Sequence, residues 1–378
     1  MGRPRRLAAS RTLLLAVVLC PVTVMAQGAS GQRSSWFASL GVGQGWDNNV
    51  RYEADSSRIS DQNRRLNATA QITRVRARTT LGLSASGSVV RYQTLKALDV
   101  VSYDVSLSAT RRLSAQLGGS AGAFYRNVLS SEVVTTPSTL LFQRAIQKSV
   151  GGNVGLARKF SAFNSGLFDV GYSNVKFSSP GLVPGSSLTG RGQVAHQLRR
   201  RGTVGIVADF SQGNAQGIQL GTQSLSALVS PKLGKISITL IAGGTRTVTD
   251  SSATFLPSGS VQVGDSLGPG SYSVGYSRGA SQAFGLGALL ISDAVSASYD
   301  FQARRGNFVT LGGWWGNSRT SSGPARSLES RAVFASFRRV LKAGITVGGS
   351  GSYRQRKDLI QASGLSAQIG LGMALRPR

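Results

Sequence analysis

The amino-acid sequence predicts an all-β protein: a transmembrane, antiparallel, up-and-down β-barrel of the outer-membrane type. Three observations support this prediction. An apolar segment follows a basic N-terminus, polar and apolar residues alternate over long stretches, and short basic connections alternate along the chain with longer polar ones. Alternation with a period of two is typical of a strand that has one apolar and one polar face.

The N-terminal 26 residues are predicted to be a secretory signal. Basic residues precede an apolar run from Thr12 to Val24, and cleavage is expected near Ala26. The run is too short to span a bilayer as a helix. Residues 27–34 are then expected to form a short periplasmic tail, and residues 35–378 the barrel in the cell outer membrane.

The charge balance of the chain is strongly basic. The 378 residues include 43 Lys and Arg against 15 Asp and Glu, a formal net charge of +28. A balance of this kind commonly indicates a nucleic-acid or membrane-surface protein. Because the signal directs the chain out of the cytoplasm, no nucleic-acid partner is expected. One Cys and one His leave little room for a metal centre, and no metal or cofactor is expected.

The strand pattern distinguishes a membrane barrel from a soluble sandwich. Between Val101 and Ala109 the odd positions are apolar and the even positions are Ser or Asp, and a similar alternation runs from Leu365 to Leu375. The predicted strands run about ten to fourteen residues, whereas soluble strands average about five or six. Their polar faces are small and mostly uncharged, which suits the lumen of a membrane barrel whose apolar face contacts lipid.

Short basic connections are predicted to be tight periplasmic turns. Eight are recognised, which implies about eighteen strands, with a range of about sixteen to twenty because Ser258–Gly279 is ambiguous. They are Arg74–Arg78, Arg111–Ser114, Arg158–Ser161, Arg199–Gly202, Pro231–Lys235, Arg278–Ser281, Arg304–Asn307 and Arg338–Lys342. Longer polar connections, including Trp46–Gln62 and Thr249–Gly268, and a short one at Ser292-Asp293, are predicted at the external end.

Strand parity assigns the charged residues of the strands to the lumen. The predicted lumen-facing residues are Arg65, Arg126, Arg191, Arg354, Asp104, Asp169, Asp209 and Asp300. Two roles stay open for them: ion pairs that brace the wall, or a constriction that selects a charged solute.

A basic rim is predicted at the periplasmic end. Its members are Arg76, Arg112, Lys159, Arg200, Lys232, Arg305 and Arg339. The rim is either a solvated edge that keeps the hairpins from slipping across the membrane, or a surface for anionic lipid, an anionic polymer or an acidic partner.

No catalytic residue is predicted. His196 has the apolar parity of its strand, beside Val194 and Leu198. A Ser–His nucleophile needs that imidazole next to a Ser with an orienting third group, and the sequence contains neither a Gly-x-Ser-x-Gly elbow nor a His-Glu-x-x-His motif. The chain is therefore not expected to be an enzyme.

The end of the first predicted strand reads Gly45-Trp46-Asp47-Asn48-Asn49-Val50. It resembles the Gly-Tyr-Asp-Asp-Asn signature of a family of outer-membrane β-barrel porins associated with exopolysaccharide production and export. The Arg pair followed by Leu-Ser at Arg111–Ser114 is similar to a turn of that family. The resemblance implies passive export of exopolysaccharide, with outer-membrane lipid, anionic polysaccharide and periplasmic export components as partners.

Two alternatives to export stay open. One is a general or anion-preferring diffusion porin that passes small anions. The other is a non-conducting scaffold or surface-interaction protein, in which the first external loop, beginning with Trp46, Asp47, Asn48 and Asn49, binds a partner.

Overall fold

The computed structural model describes residues 33–50, 55–129, 145–198, 202–250, 252–304, 306–321, 327–341, 344–357 and 361–375. The predicted signal and most of the predicted tail lie outside these residues, as do Arg200 and Arg305 of the predicted rim and the side chain of Lys232. The first strand begins at Arg33, slightly before the predicted start of the barrel at residue 35.

Eighteen strands form one antiparallel sheet that closes on itself, which confirms the predicted fold class and strand number. The strands are β1 (Arg33–Asp47), β2 (Asp61–Arg76), β3 (Thr79–Tyr92), β4 (Val100–Arg112), β5 (Leu117–Leu129), β6 (Ile146–Lys159), β7 (Asn164–Phe177), β8 (Gly185–Gln197), β9 (Gly202–Ala215), β10 (Ile218–Leu233), β11 (Ile236–Thr249), β12 (Ser252–Leu267), β13 (Gly270–Ala283), β14 (Ala288–Arg304), β15 (Asn307–Thr320), β16 (Ser327–Val340), β17 (Ile345–Lys357) and β18 (Gln361–Leu375). The last strand pairs with the first, from Ala38 opposite Leu375 to Asp47 opposite Ser366. Closure leaves no unpaired strand edge to be exposed in lipid.

The two faces of the sheet differ in polarity. On the outer face, Leu107, Val154 and Ile369 are 54%, 60% and 65% exposed. On the inner face, serines of neighbouring strands form hydrogen bonds, such as Ser84 with Ser106 at 2.8 Å. An apolar exterior around a polar interior is the arrangement of a barrel that spans a membrane.

The region from β12 to β14 differs from the predicted connections. Most of the predicted long connection Thr249–Gly268 is strand β12, which pairs with β11 along nearly its whole length. The true tight turn is Gly268-Pro269, where Gly268 has a φ of +55°. This turn contains no basic residue, so the search for short basic connections does not find it. Two further predicted connections are also wrong, since Arg278–Ser281 lies in β13 and Ser292-Asp293 lies in β14.

The described basic residues of the predicted rim lie at the ends of strands rather than in the turns. Arg76, Arg112 and Lys159 are the last residues of β2, β4 and β6, and Arg339 is the residue before the end of β16. By strand parity Arg112 and Lys159 belong to the lumenal face, whereas Arg76 and Arg339 belong to the outer face. This end of the barrel is therefore basic on both faces.

Candidate functional site

The strand register pairs one predicted lumenal acid with one predicted lumenal base on β4 and β5. Asp104 lies directly opposite Arg126, and Arg126 Nε is 2.5 Å from Asp104 Oδ2. The guanidinium carbon of Arg126 also lies 4.8 Å from the centroid of the Phe124 ring. Gly151 on β6 makes room for that ring, because a Cβ there would be 2.6 Å from Phe124 Cζ. The ion pair is thus held against the wall by a packed aromatic ring.

A second group of lumenal charges spans β7, β8 and β9. Arg191 is the register partner of Asp169 on one side and of Asp209 on the other. Its Nε lies 3.7 Å from Asp209 Oδ1. Asp169 accepts a hydrogen bond of 3.0 Å from Asn153 Nδ2. This row contains two acids and one base, so the cation of Arg191 offsets only part of its negative charge.

Asp300 and Arg354 lie elsewhere on the lumenal face. The Asp300 carboxylate accepts a hydrogen bond of 2.6 Å from Thr310 Oγ1 on β15. Arg354 lies on β17, where Arg356 shares its parity and is buried at 9% exposure. Sequence reasoning missed Arg356, although its spacing of two residues from Arg354 would have placed it on the same face.

The eight predicted lumenal residues are divided among separate sectors of the wall. Asp104, Arg126, Asp169, Arg191 and Asp209 lie on strands β4 to β9. On β2, Arg65 lies opposite Gly43, which continues the register row through Gly370 to Gly348 on β17. In the row of Arg65, the wall therefore has glycine, and no side chain, on β1, β18 and β17.

The described lumenal face of β15 to β18 contains no acid. Its basic residues are Arg338, Arg354 and Arg356, and we call this sector the basic wall. The guanidinium carbon of Arg338 lies 4.8 Å from the centroid of the Phe308 ring. These three side chains place basic groups on one side of the lumen.

At the end of the barrel that is predicted to be external, β12 and β13 separate from one another. Their pairing runs from Leu267 opposite Gly270 only as far as Gly259 opposite Arg278. Above that level β12 continues along β11, while β13 continues along β14 to Ala283 opposite Ala288. Residues 279–292, which we call the mouth hairpin, are thus detached from the strand that precedes them.

The mouth hairpin packs against the lumenal side of β8, β9 and β10. Gln282 Nε2 donates a hydrogen bond of 2.8 Å to the backbone oxygen of Leu220. Leu289 and Leu220 are almost fully buried in one apolar cluster, against which Phe284 packs. Leu220 has the lumenal parity of β10, because it lies four residues before Ser224, the register partner of Asp209. Because its contacts are lumenal, the hairpin narrows the external mouth of the barrel.

The first-strand motif closes the barrel. Trp46 and Asp47 belong to β1 rather than to a loop, and Trp46 is exposed on the outer face. The backbone N–H of Asn48 donates to the Leu365 oxygen at 3.1 Å, and its side-chain oxygen accepts from the Leu365 N–H at 2.7 Å. Asn49 is fully buried and its Nδ2 donates to the Ser363 oxygen at 3.0 Å. The two asparagines therefore join the first strand to the last.

An ion pair holds the connection after β1 against the same seam. Asp55 Oδ1 lies 2.7 Å from Arg58 and accepts a hydrogen bond of 2.8 Å from the backbone N–H of Ser363. The hydrogen bond from Arg58 is the main reason that the pKa of Asp55 is lowered from its ordinary value, and the bonds from Ser363 add to it. The carboxylate is therefore ionised and bonded at neutral pH.

The described residues contain no grouping of three or more His, Cys, Asp or Glu side chains that could hold a metal ion. Nor is any helix among them long and apolar enough to cross a bilayer. His196 lies on the outer face, where its Nδ1 is 2.7 Å from Asn164 Oδ1.

A closed barrel of eighteen strands with an apolar exterior and a polar lumen is the architecture of outer-membrane channels of the porin type. Three solved structures show the same fold. OccK2 (OpdF) and OpdQ of Pseudomonas aeruginosa each have a TM-score of 0.52 and 11% identity, covering 91% of this chain and 98% of their own. OccAB4 of Acinetobacter baumannii has a TM-score of 0.50 and 9% identity, covering 92% of this chain and 99% of its own.

A further structure of OccK2, in complex with glucuronate, has a TM-score of 0.51 and 12% identity and covers 92% of this chain and 98% of its own. At these identities the likeness concerns the fold alone. No protein-family model and no curated protein sequence matches the chain.

Proposed function

We propose that the protein is a passive diffusion channel of the outer membrane that prefers small anions. The observation that carries the proposal is the unequal distribution of lumenal charge. Asp104 and Asp209 are ion-paired with arginines. Asp169 and Asp300 accept hydrogen bonds from the neutral side chains of Asn153 and Thr310, so their negative charge lies on β7 and β14, outside the basic wall. The basic wall, by contrast, has no acid among its described lumenal residues. A pore lined by cations on one side concentrates anions and lowers the barrier to their passage.

The position of the mouth hairpin favours a small solute over a polymer as the substrate of the channel. It lies across the lumenal side of β8 to β10 and reduces the opening that an extended chain would have to cross. The structure of OccK2 with glucuronate, a small sugar carboxylate, provides a chemical precedent in a protein of the same fold. We therefore prefer diffusion of small anions to the exopolysaccharide export implied by the first-strand motif. Passage would rest on positioning and electrostatics, without catalytic residues.

Conductance in planar bilayers tests this function. With a salt gradient across the membrane, the purified protein should conduct, and its reversal potential should have the sign expected for anion preference. Swelling of protein-containing liposomes should be faster in glucuronate than in neutral glucose. A barrel that inserts but does not conduct would overturn the proposal in favour of the scaffold. A reversal potential of the opposite sign would overturn the anion preference.

The basic wall supplies a variant with a matched control. R354Q/R356Q removes two lumenal cations and should shift the reversal potential towards that of an unselective pore. R319Q/R331Q removes the same charge from the outer parity of neighbouring strands β15 and β16 and should leave it unchanged. Equal effects of the two variants would show that lumenal position does not matter.

Export is tested separately in cells. Loss of surface polymer after deletion of the gene, with unchanged uptake of small anions, would favour exopolysaccharide export over diffusion. The proposal expects the reverse result.

A further inference from the structure

We propose that the outer surface of the barrel binds the phosphate groups of outer-leaflet lipids at two pairs of like-charged residues. The first pair is Arg64 on β2 and Arg91 on β3, and the second is Lys148 on β6 and Lys176 on β7. The members of each pair are register partners, and all four side chains are exposed. Side chains directly opposite one another in a sheet have Cβ atoms about 4.5–5.5 Å apart, and like charges there are destabilising. An anion bound between them removes that repulsion.

The parity of the strands directs both pairs outwards. Arg64 shares its face with Leu66, which is 44% exposed among the exterior apolar residues. Lys148 shares its face with Val150, which is 49% exposed. The four cations are therefore outside the lumen and belong to a different surface from the basic wall.

The depth of the second pair follows from its strand. The outward positions of β6 between Lys148 and Arg158 are Val150, Gly152, Val154 and Leu156, without a charge. Ten residues at about 3.3 Å per residue, on a strand tilted by about 40°, span about 25 Å of membrane, the usual height of the apolar band. Lys148 consequently lies where acyl chains end and headgroup phosphates begin, on the external side.

Protein carboxylates neutralise these cations only in part. Arg91 Nη1 lies 3.6 Å from Asp99 Oδ2, yet its side chain is 61% exposed. Among the described residues, Arg64, Lys148 and Lys176 have no ion-pair partner within 4.0 Å.

The other end of the barrel lacks such pairs. Arg111, an outward basic residue there, has Thr79 and Gly119 as register partners, and Arg158 has Leu117 and Gly166. Like-charged basic partners thus occur, within the described register, only at the external end.

A lipid phosphate fits both the charge and the surroundings of these pairs. A phosphate monoester has close to two negative charges, and each pair has two positive charges. The apolar side chains directly beneath, such as Val150 and Leu66, would contact acyl chains of the same molecule. The inference rests on the membrane orientation contained in the proposed function, with the longer connections outside, but not on conduction.

Binding of a defined lipid to the full-length barrel in detergent tests the inference. The probe is an acylated glucosamine disaccharide carrying two phosphates, of the lipid A type, titrated and followed by native mass spectrometry. R64Q/R91Q should bind the lipid about thirtyfold more weakly at the first pair, and K148Q/K176Q should do so at the second, because each variant removes two surface cations. The other site should be unaffected in each variant. K148R/K176R should retain the site.

The control variant is R111Q/R158Q, which removes the same charge from the outer face at the opposite end and should bind normally. Unchanged binding by both test variants would overturn the proposal. Equal binding of the dephosphorylated lipid would overturn it by showing recognition of acyl chains alone, and equal affinity for inorganic phosphate would overturn the lipid as the occupant.

Folding and conductance are measured separately on the same samples. Heat-dependent mobility on gels should show that every variant is folded, and conductance should be unchanged in both test variants. A wild-type barrel that binds the lipid but does not conduct would contradict the proposed function and leave the lipid site standing.

Discussion

Asp104 and Arg126 meet across the β4–β5 ladder, with Oδ2 and Nε 2.5 Å apart and the side chains 28% and 50% exposed. Because both face water in the lumen, solvent screens their attraction, and the pair is expected to contribute less than about 1 kcal/mol to the free energy of unfolding. Its main effect is to neutralise an acid in the path of solutes.

Removing the acid of this pair should increase anion preference. In D104N the charge of Arg126 is no longer offset, so the reversal potential in a salt gradient should move further in the anion direction. The double variant D104N/R126Q removes both charges and should return close to the wild-type value. An unchanged reversal potential in D104N would mean that the pair does not face the ion path.

Removing Arg191 should have the opposite effect. This residue lies between Asp169 and Asp209 in one register row, so R191Q leaves two carboxylates without their intervening cation. The reversal potential should move in the cation direction. The outward-facing R158Q, with the same loss of charge, serves as the control and should conduct like the wild type.

The mouth hairpin can be displaced through a glycine that it covers. A Cβ on Gly185 would lie 2.2 Å from Phe284 Cδ1 and 2.8 Å from the Asn214 backbone oxygen. G185A should therefore push the tip of the hairpin away from β8 and raise single-channel conductance. F284A, which shortens the side chain instead, should act in the same direction.

Gly279 provides the control for this prediction, because it lies in the same hairpin and nothing is within 4 Å of a Cβ placed there. G279A should leave the conductance unchanged. If G185A and F284A also conducted normally, the hairpin would not limit the current.

Protonation of Asp55 should loosen the connection between β1 and β2. The lowered pKa means that the bonded carboxylate stabilises this connection at pH values above the ordinary carboxyl pKa. That contribution is lost as the pH falls through the lowered pKa, below about pH 4. Hydrogen exchange at the Ser363 amide, corrected for intrinsic rate, should accelerate in this range.

At neutral pH, D55N should already show the faster exchange at Ser363. D250N changes a carboxylate at another external turn, where it accepts from Gln219 N–H, and should leave exchange at Ser363 unaltered. Exchange that stays slow in D55N would contradict the role given to Asp55.

The role of the first-strand motif depends on residues that are distant in the sequence. The sequence around Trp46 to Asn49 marks the end of a strand, and the structure ends β1 at Asp47. That Asn48 and Asn49 bond to Leu365 and Ser363 could not be read from neighbouring residues, because these partners lie more than 300 positions further along the chain.

The alternation of polar and apolar residues was enough to predict the barrel, because the period of two is a property of each strand alone. The prediction failed between β12 and β14, where Ser, Gly and Pro257 obscure the alternation and the turn at Gly268-Pro269 has no basic residue. Three features could not be predicted from any single strand: Arg191 lies between two acids, Arg278 meets Asp293 on the neighbouring strand, and the mouth hairpin packs on the lumenal side of β8 to β10. These features depend on register between strands and on separation of a strand from its neighbour, and both are set by packing across the closed sheet.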